Sequence, residues 1–332
     1  MSIIPFKAAR LAVALALGAG IAAASPTFTV LYDAGANISA ADKTIIQNAV
    51  NFYTSNMTGS WSVSIVFGSQ VAGGATSEKL VYGGLSYNSY YNDLGSNSSG
   101  DATDLAAIAS LGGGPHTSNP VNGTTSIAMT TTLASALGLA AQQGTTWADC
   151  GGVSADACIT LSTALLNASG SPDVELNADV QHEIDEVLGT SSALPNGGGT
   201  LATNPDVADL FRYSAPGTRS YALNTSTSNP CTGAAAYFSV DGGTTNLDSY
   251  NNCNNGGEYG DWFCDDGSQV QCYAGPGGVP ASLTLSSSEV KLLDAVGFNF
   301  ASAAVPEPSS VVLLMAGLGA LAVPWRRRRN KK

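Results

Sequence analysis

The sequence predicts an α+β fold, and three features carry that prediction. A strand–helix–strand unit opens the part of the chain that follows the leader, from Phe28 to Gly68. After Gly189 the composition turns to Gly, Asn, Ser and Thr as far as about Pro280, which marks a loop-rich second half. A closing amphipathic segment, Ser287 to Phe298, has the spacing to pack back on the core. Together they describe one domain of two lobes. A mixed sheet fills the first lobe, a helix near residues 181–189 lies between the two, and the second lobe is mostly loop.

Taken in order, "FTVLYD" (Phe28 to Asp33) alternates and is β-branched, as a strand requires. Ser39 and Asp42 have capping-box spacing, and Ile45, Ile46, Ala49, Val50 and Tyr53 continue with helical period. "WSVSIVFG" (Trp61 to Gly68) is a second strand. Leu80 to Gly100, rich in Tyr, Asn, Ser and Gly, is predicted as loop or edge structure. Asp101 to Leu111 is a short helix, Ser126 to Leu139 a strand running into a helix, and Cys158 to Leu166 a strand. Asn177 or Asp179 then caps a helix from about Ala178 to Leu188, ended by Gly189.

Both ends are addresses. Lys7 and Arg10 precede an apolar run from Leu11 to Ala24 with small residues at its end, the layout of a signal peptide over residues 1–24. At the far end Val305-Pro306-Glu307-Pro308 is followed by an apolar run to Trp325 and a basic cluster from Arg326 to Lys332. That three-part layout resembles the PEP-CTERM sorting signal of Gram-negative bacteria that make extracellular polysaccharide. The resemblance implies processing by an exosortase after signal peptidase, and delivery to the envelope, surface or matrix. It also implies at least transient membrane anchoring by residues 305–332; a plain C-terminal anchor is the alternative.

The remaining domain, residues 25–304, holds five basic residues against 24 acidic ones, a net charge of −19. Such a surface repels nucleic acid and suits divalent cations. Its six cysteines, in an exported chain, predict disulfides. Neighbour pairing would join Cys150 to Cys158, Cys231 to Cys253 and Cys264 to Cys272, one of about 15 connectivities.

The chemistry concentrates in "QHEIDEVLG", Gln181 to Gly189. On a helical wheel Val180, Ile184, Val187 and Leu188 form one apolar stripe. His182 and Glu186 fall opposite, one turn apart, with Glu183 beside them, and an i, i+4 pair of this kind can grip one ion. The competing reading is a solvated acidic face. Asp179, Glu183, Asp185 and Glu186 crowd together with no Lys or Arg nearby in sequence, which is costly unless a cation compensates. His116, in "GGGPHTSNP", is predicted as a solvated loop histidine, and Asp241-Gly242-Gly243 and Asp265-Asp266-Gly267 as Asx-type turns rather than calcium loops.

"HEIDEVLG", "DLFRYSAPG", "YFSVDGG", "GDWF" and "LLDAVGF" occur in this order. Together they resemble exported bacterial metzincin-like zinc metalloproteases, many of which carry the same C-terminal signal. The resemblance spans roughly Phe28 to Phe298 and implies a metzincin-like protease domain acting on protein or peptide substrates. In that group the helix carries a second histidine where this chain has Glu186, and a later histidine precedes Trp where this chain has Asp261. Carried over, His182, Glu186 and Asp261 become metal ligands and Glu183 the general base, with Tyr213 or Tyr259 as a donor to the developing oxyanion. The resemblance implies Zn; two carboxylates in place of imidazoles would make its bound water less acidic and suit harder ions, with Ca or Mn as the alternatives. A non-catalytic surface or matrix protein that keeps the fold is the rival reading.

Overall fold

The computed structural model describes residues 24–71, 73–112, 116–166, 172–195, 200–223, 236–264, 268–273 and 282–301. The leader before residue 24, the C-terminal sorting segment, Cys231 and Asp265-Asp266-Gly267 lie outside the described residues. No helix among the described residues is long and apolar enough to cross a membrane.

The chain opens with strand β1 (Thr27–Tyr32), helix α1 (Ala40–Asn56), strand β2 (Met57–Thr58) and strand β3 (Ser62–Gln70). The predicted capping box is present: the Ser39 side chain accepts from the Asp42 amide and Asp42 reaches back to Ser39. Strands β4 (Ala75–Lys79) and β5 (Val81–Ser86) lead into helices α2 (Tyr87–Asn97) and α3 (Ala102–Ser110). The segment at 80–100, predicted as loop or edge structure, is the edge strand β5 of a two-stranded sheet followed by a helix. Its Asn, Ser and Gly content hides Tyr87, Tyr90 and Leu94, which share one buried helical face, and Ser86 caps the helix.

Next come β6 (Ser126–Thr130), α4 (Thr131–Ala136), β7 (Thr145–Trp147), β8 (Val153–Ala155), β9 (Ala157–Ser162) and the single turn α5 (Thr163–Leu166). Helix α6 (Pro172–Leu188) begins a turn and a half before its predicted start, so Asn177 and Asp179 lie inside it. Proline suits the first helical position because its missing N–H would have no helical partner there. The loop-rich half carries short strands β10 (Arg212–Ala215), β11 (Thr218–Arg219), β12 (Tyr237–Phe238) and β13 (Asp248–Ser249). Helix α7 (Ser288–Val296) and β14 (Asn299–Phe300) close the described chain, with Val290, Leu293 and Val296 buried as their spacing predicts.

One sheet runs β1–β3–β9–β4. The first three strands are parallel, and β4 returns antiparallel on β9 as an edge. Every residue of β9 is buried, as expected of a central strand covered on both faces. A second sheet, β11–β10–β12–β13, is antiparallel. The mixture is α+β. Disulfides join Cys150 to Cys158 and Cys264 to Cys272 as neighbour pairing predicts, and Cys253 is also disulfide-bonded.

Helix α6 packs on α1 and against β4. Its apolar stripe of Val180, Ile184, Val187 and Leu188 is in the core. Its polar face is buried too: Gln181, Glu183, Asp185 and Glu186 are all at most 5% exposed. The solvated acidic face is thereby excluded. Asp185 faces α1, where the Tyr53 hydroxyl donates to its Oδ1 at 2.7 Å and also contacts the Gln181 carbonyl at 2.9 Å. Gly189, at φ +133°, ends the helix in a conformation that disfavours any side chain. The Tyr53 contact positions the helix, so Tyr53→Phe should lower unfolding free energy by about 1–3 kcal/mol. Urea denaturation measures it, and a change below about 0.5 kcal/mol would show that the contact does not hold α6.

Candidate metal centre

Three elements meet at one cavity of about 450 Å³. Helix α6 supplies Asp179, His182, Glu183 and Glu186, the β4 edge supplies Ser77 and Lys79, and the loop after β13 supplies Glu258 and Asp261. One ligand atom each from His182, Glu186 and Asp261 lies within 4.8 Å of the others. Glu186 and Asp261, 75 positions apart in sequence, are thus brought together.

The loop reaches the helix for identifiable reasons. Arg212, buried in β10, donates to the Tyr259 carbonyl and, at 3.1 Å, to Asn252. Asn251 donates its amide to the Asp261 carbonyl at 2.7 Å, and buried Trp262 donates to the Gln271 carbonyl at 2.7 Å. A Cβ on Gly260 would stand 3.1 Å from the Ser192 amide nitrogen and 3.3 Å from the Thr190 carbonyl. Glycine there lets the loop press against the chain just beyond the tight Gly189 exit.

His182 is held from behind. Its Nδ1 lies 3.0 Å from the Val270 carbonyl, which can only accept, so Nδ1 carries the proton and Nε2 points toward Asp261 Oδ1 at 3.6 Å. That oxygen is buried and has no hydrogen-bond partner among the described residues. Glu186 Oε2 is the opposite case: Ser77 Oγ donates to it at 2.6 Å and Lys79 Nζ pairs with it at 2.9 Å.

Lys79 is therefore the cation that the helix lacks locally, and it comes from a strand more than 100 residues away. It is one of only five basic residues between the two terminal segments. That rarity is the signal that could have marked it. Ser77, Glu258 and Tyr273, which also line the cavity, carry no comparable mark in the sequence.

The remaining predicted positions fall elsewhere. Tyr213 and Tyr259 are buried and neither lines the cavity; Tyr213 packs under Arg219, whose guanidinium is 4.8 Å from its ring centre. His116 stacks on Tyr91 with ring centres 3.3 Å apart. Asp241 closes an Asx-type turn, accepting from Ser239, Thr245 and the Thr245 amide.

The electrostatics follow from so many carboxylates out of water. Burial opposes charge on His182, but Asp261, Glu183 and Glu186 overcome it and push the imidazole up to about 10. Burial raises Asp261 to about 7 and Asp179 to about 6, with His182 moderating both. Burial and the Glu186 charge raise Glu183. Glu186 itself is held down, because Lys79, His182 and Ser77 outweigh its burial.

The comparisons identify only the C-terminus. Residues 304–329 match the PEP-CTERM protein-sorting motif, which makes the chain an exported, surface-sorted protein with an exosortase as processing partner. No curated protein and no solved structure matches the chain.

A pH dependence follows. His182, Asp261, Glu183 and Asp179 all hold protons more tightly folded than unfolded, so their contribution is complete at low pH and is lost as pH rises through their folded values. Without divalent ions, the melting temperature should fall between about pH 5 and pH 8. Calorimetry in the presence of a chelator tests it, and a rise over that window would contradict the electrostatics of the site.

Proposed function

We propose that the chain is a surface-sorted, metal-dependent endopeptidase with a metzincin-like domain, its metal held by His182, Glu186 and Asp261. The observation that carries this reading is the orphaned, buried Oδ1 of Asp261 facing the oriented Nε2 of His182. A buried carboxylate oxygen with no hydrogen bond and only an imidazole at 3.6 Å is costly unless an ion satisfies it. One nitrogen and two carboxylates fit Zn, and equally Mn or Ca, the oxygen-rich set favouring harder ions. When bound, the metal would polarise the peptide carbonyl and acidify water.

The chain's own groups do the rest. The edge strand β4, ending at Lys79, borders the cavity and offers unpaired backbone groups to an extended peptide. Glu183 takes the proton from attacking water and delivers it to the leaving amine as the C–N bond breaks. Its raised affinity for a proton suits both halves of that transfer. Lys79, which lines the cavity, is a better placed oxyanion donor than Tyr213 or Tyr259. During sorting, Val311 to Trp325 would hold the chain transiently at the inner membrane.

One observation favours the rival reading of a non-catalytic matrix protein. Lys79 already neutralises Glu186 at 2.9 Å, as it would in a cavity built for binding alone. Metal content by mass spectrometry and casein hydrolysis separate the two. The endopeptidase should hold one metal per chain, lose it in His182→Ala, and lose about 100-fold or more of its activity in Glu183→Gln. Bound metal without Glu183-dependent cleavage would establish the binding role, and absence of metal would overturn the site itself.

A further inference from the structure

A second carboxylate cluster lies where α3 meets α7. One ligand atom each from Asp101, Asp104 and Asp294 lies within 4.8 Å of the others. Asp101 caps α3, its Oδ1 accepting from the Asp104 amide at 3.0 Å. Asp104 Oδ2 accepts from the Ser98 and Ser99 hydroxyls and from the Ser99 and Gly100 amides. These bonds fix both carboxylates before any ligand arrives.

Asp294 is different. It enters from the last turn of α7 and is 5% exposed; its carboxyl is hydrogen-bonded with Asp101 and the Thr103 side chain, while its Oδ1 is buried and has no hydrogen-bond partner among the described residues. Among the described residues no lysine, arginine or histidine lies within ion-pair distance of the three carboxylates. Lys291 lines the adjoining cavity of about 190 Å³ but does not reach them. Asp104, like Asp294, is almost wholly buried. Three carboxylates collected this closely repel one another, and burial amplifies the repulsion.

We propose that Asp101, Asp104 and Asp294 bind a hard divalent cation of the Ca²⁺ class, separate from the His182 centre. All three donors are oxygens, with no imidazole or thiolate to favour zinc. The adjoining cavity leaves room for the waters that complete a calcium shell, and Thr103, whose side chain hydrogen-bonds Asp294, lines it. The ion would clasp the start of α3 to α7, beside the bonds from the Ser99 amide to Asn299 and from Asn299 to the Asn97 carbonyl. An exported protein meets calcium at concentrations that weak structural sites can use.

Calorimetric titration of the chelator-stripped full chain with CaCl₂, beside thermal unfolding, tests the proposal. A site surviving in Glu186→Gln and weakened about tenfold or more in Asp294→Asn is expected. Saturating calcium should raise the melting temperature by roughly 5 °C or more. Should Asp294→Asn fail to fold, Asp101→Ser removes a ligand while keeping a helix cap and should weaken binding alike. Calcium binding lost in Glu186→Gln but untouched by Asp294→Asn or Asp101→Ser would assign the ion to the His182 centre and overturn the proposal. No calcium binding would overturn it as well.

Discussion

The structure is organised around the burial of an acidic helix. Helix α6 carries Asp179, Glu183, Asp185 and Glu186 into an interior where each charge must be neutralised, paired or protonated. Asp185 is met by Tyr53 from α1, Glu186 by Ser77 and Lys79 from β4, and His182 by the Val270 carbonyl and Asp261. Placing α1, the sheet edge and the C-terminal loops around one helix is therefore an electrostatic requirement as well as a hydrophobic one. Val180, Ile184, Val187 and Leu188 drive the helix inward, and the polar contacts decide how its neighbours stand.

The compensation is incomplete in two places. At the His182 centre it is partial: Glu186 has its cation, while Asp261 Oδ1 has only a distant imidazole. At the α3–α7 junction three carboxylates gather without a basic partner among the described residues and are held by hydrogen bonds alone. Donor chemistry separates the two sites. An imidazole oriented from behind belongs to borderline metals, whereas an all-oxygen cluster built on a helix cap belongs to hard ones.

The loop-rich half joins the main core through residues such as Leu210, Phe211, Phe238 and Trp262, and a few further anchors order its loops. Arg212 ties the Tyr259 carbonyl to β10, Trp262 joins two strand-like segments by backbone bonds, and disulfides close the short loop at 264–272 and the one at 150–158. The motifs "DLFRYSAPG" and "GDWF" thus act as scaffolding for Asp261. Tyr213 and Tyr259, attractive as chemical groups in the sequence, are part of that scaffolding.

The sequence by itself determined whatever depends on local chemistry. Capping spacing at Ser39, strand alternation from Phe28, the second strand after Trp61, the inward stripe of α6 and α7, the neighbour disulfides and the terminal sorting signal were all legible, because each is set by residues close in the chain. Helix α2 was obscured, because its three buried anchors stand among polar and turn-forming residues. Only the tertiary structure decided that the acidic face of α6 is buried, that Lys79 supplies its missing charge, and that Asp294 joins Asp101 and Asp104. Periodicity places a side chain on one face of its own helix, but what meets that face comes from a helix, a strand and loops 75 or more residues away.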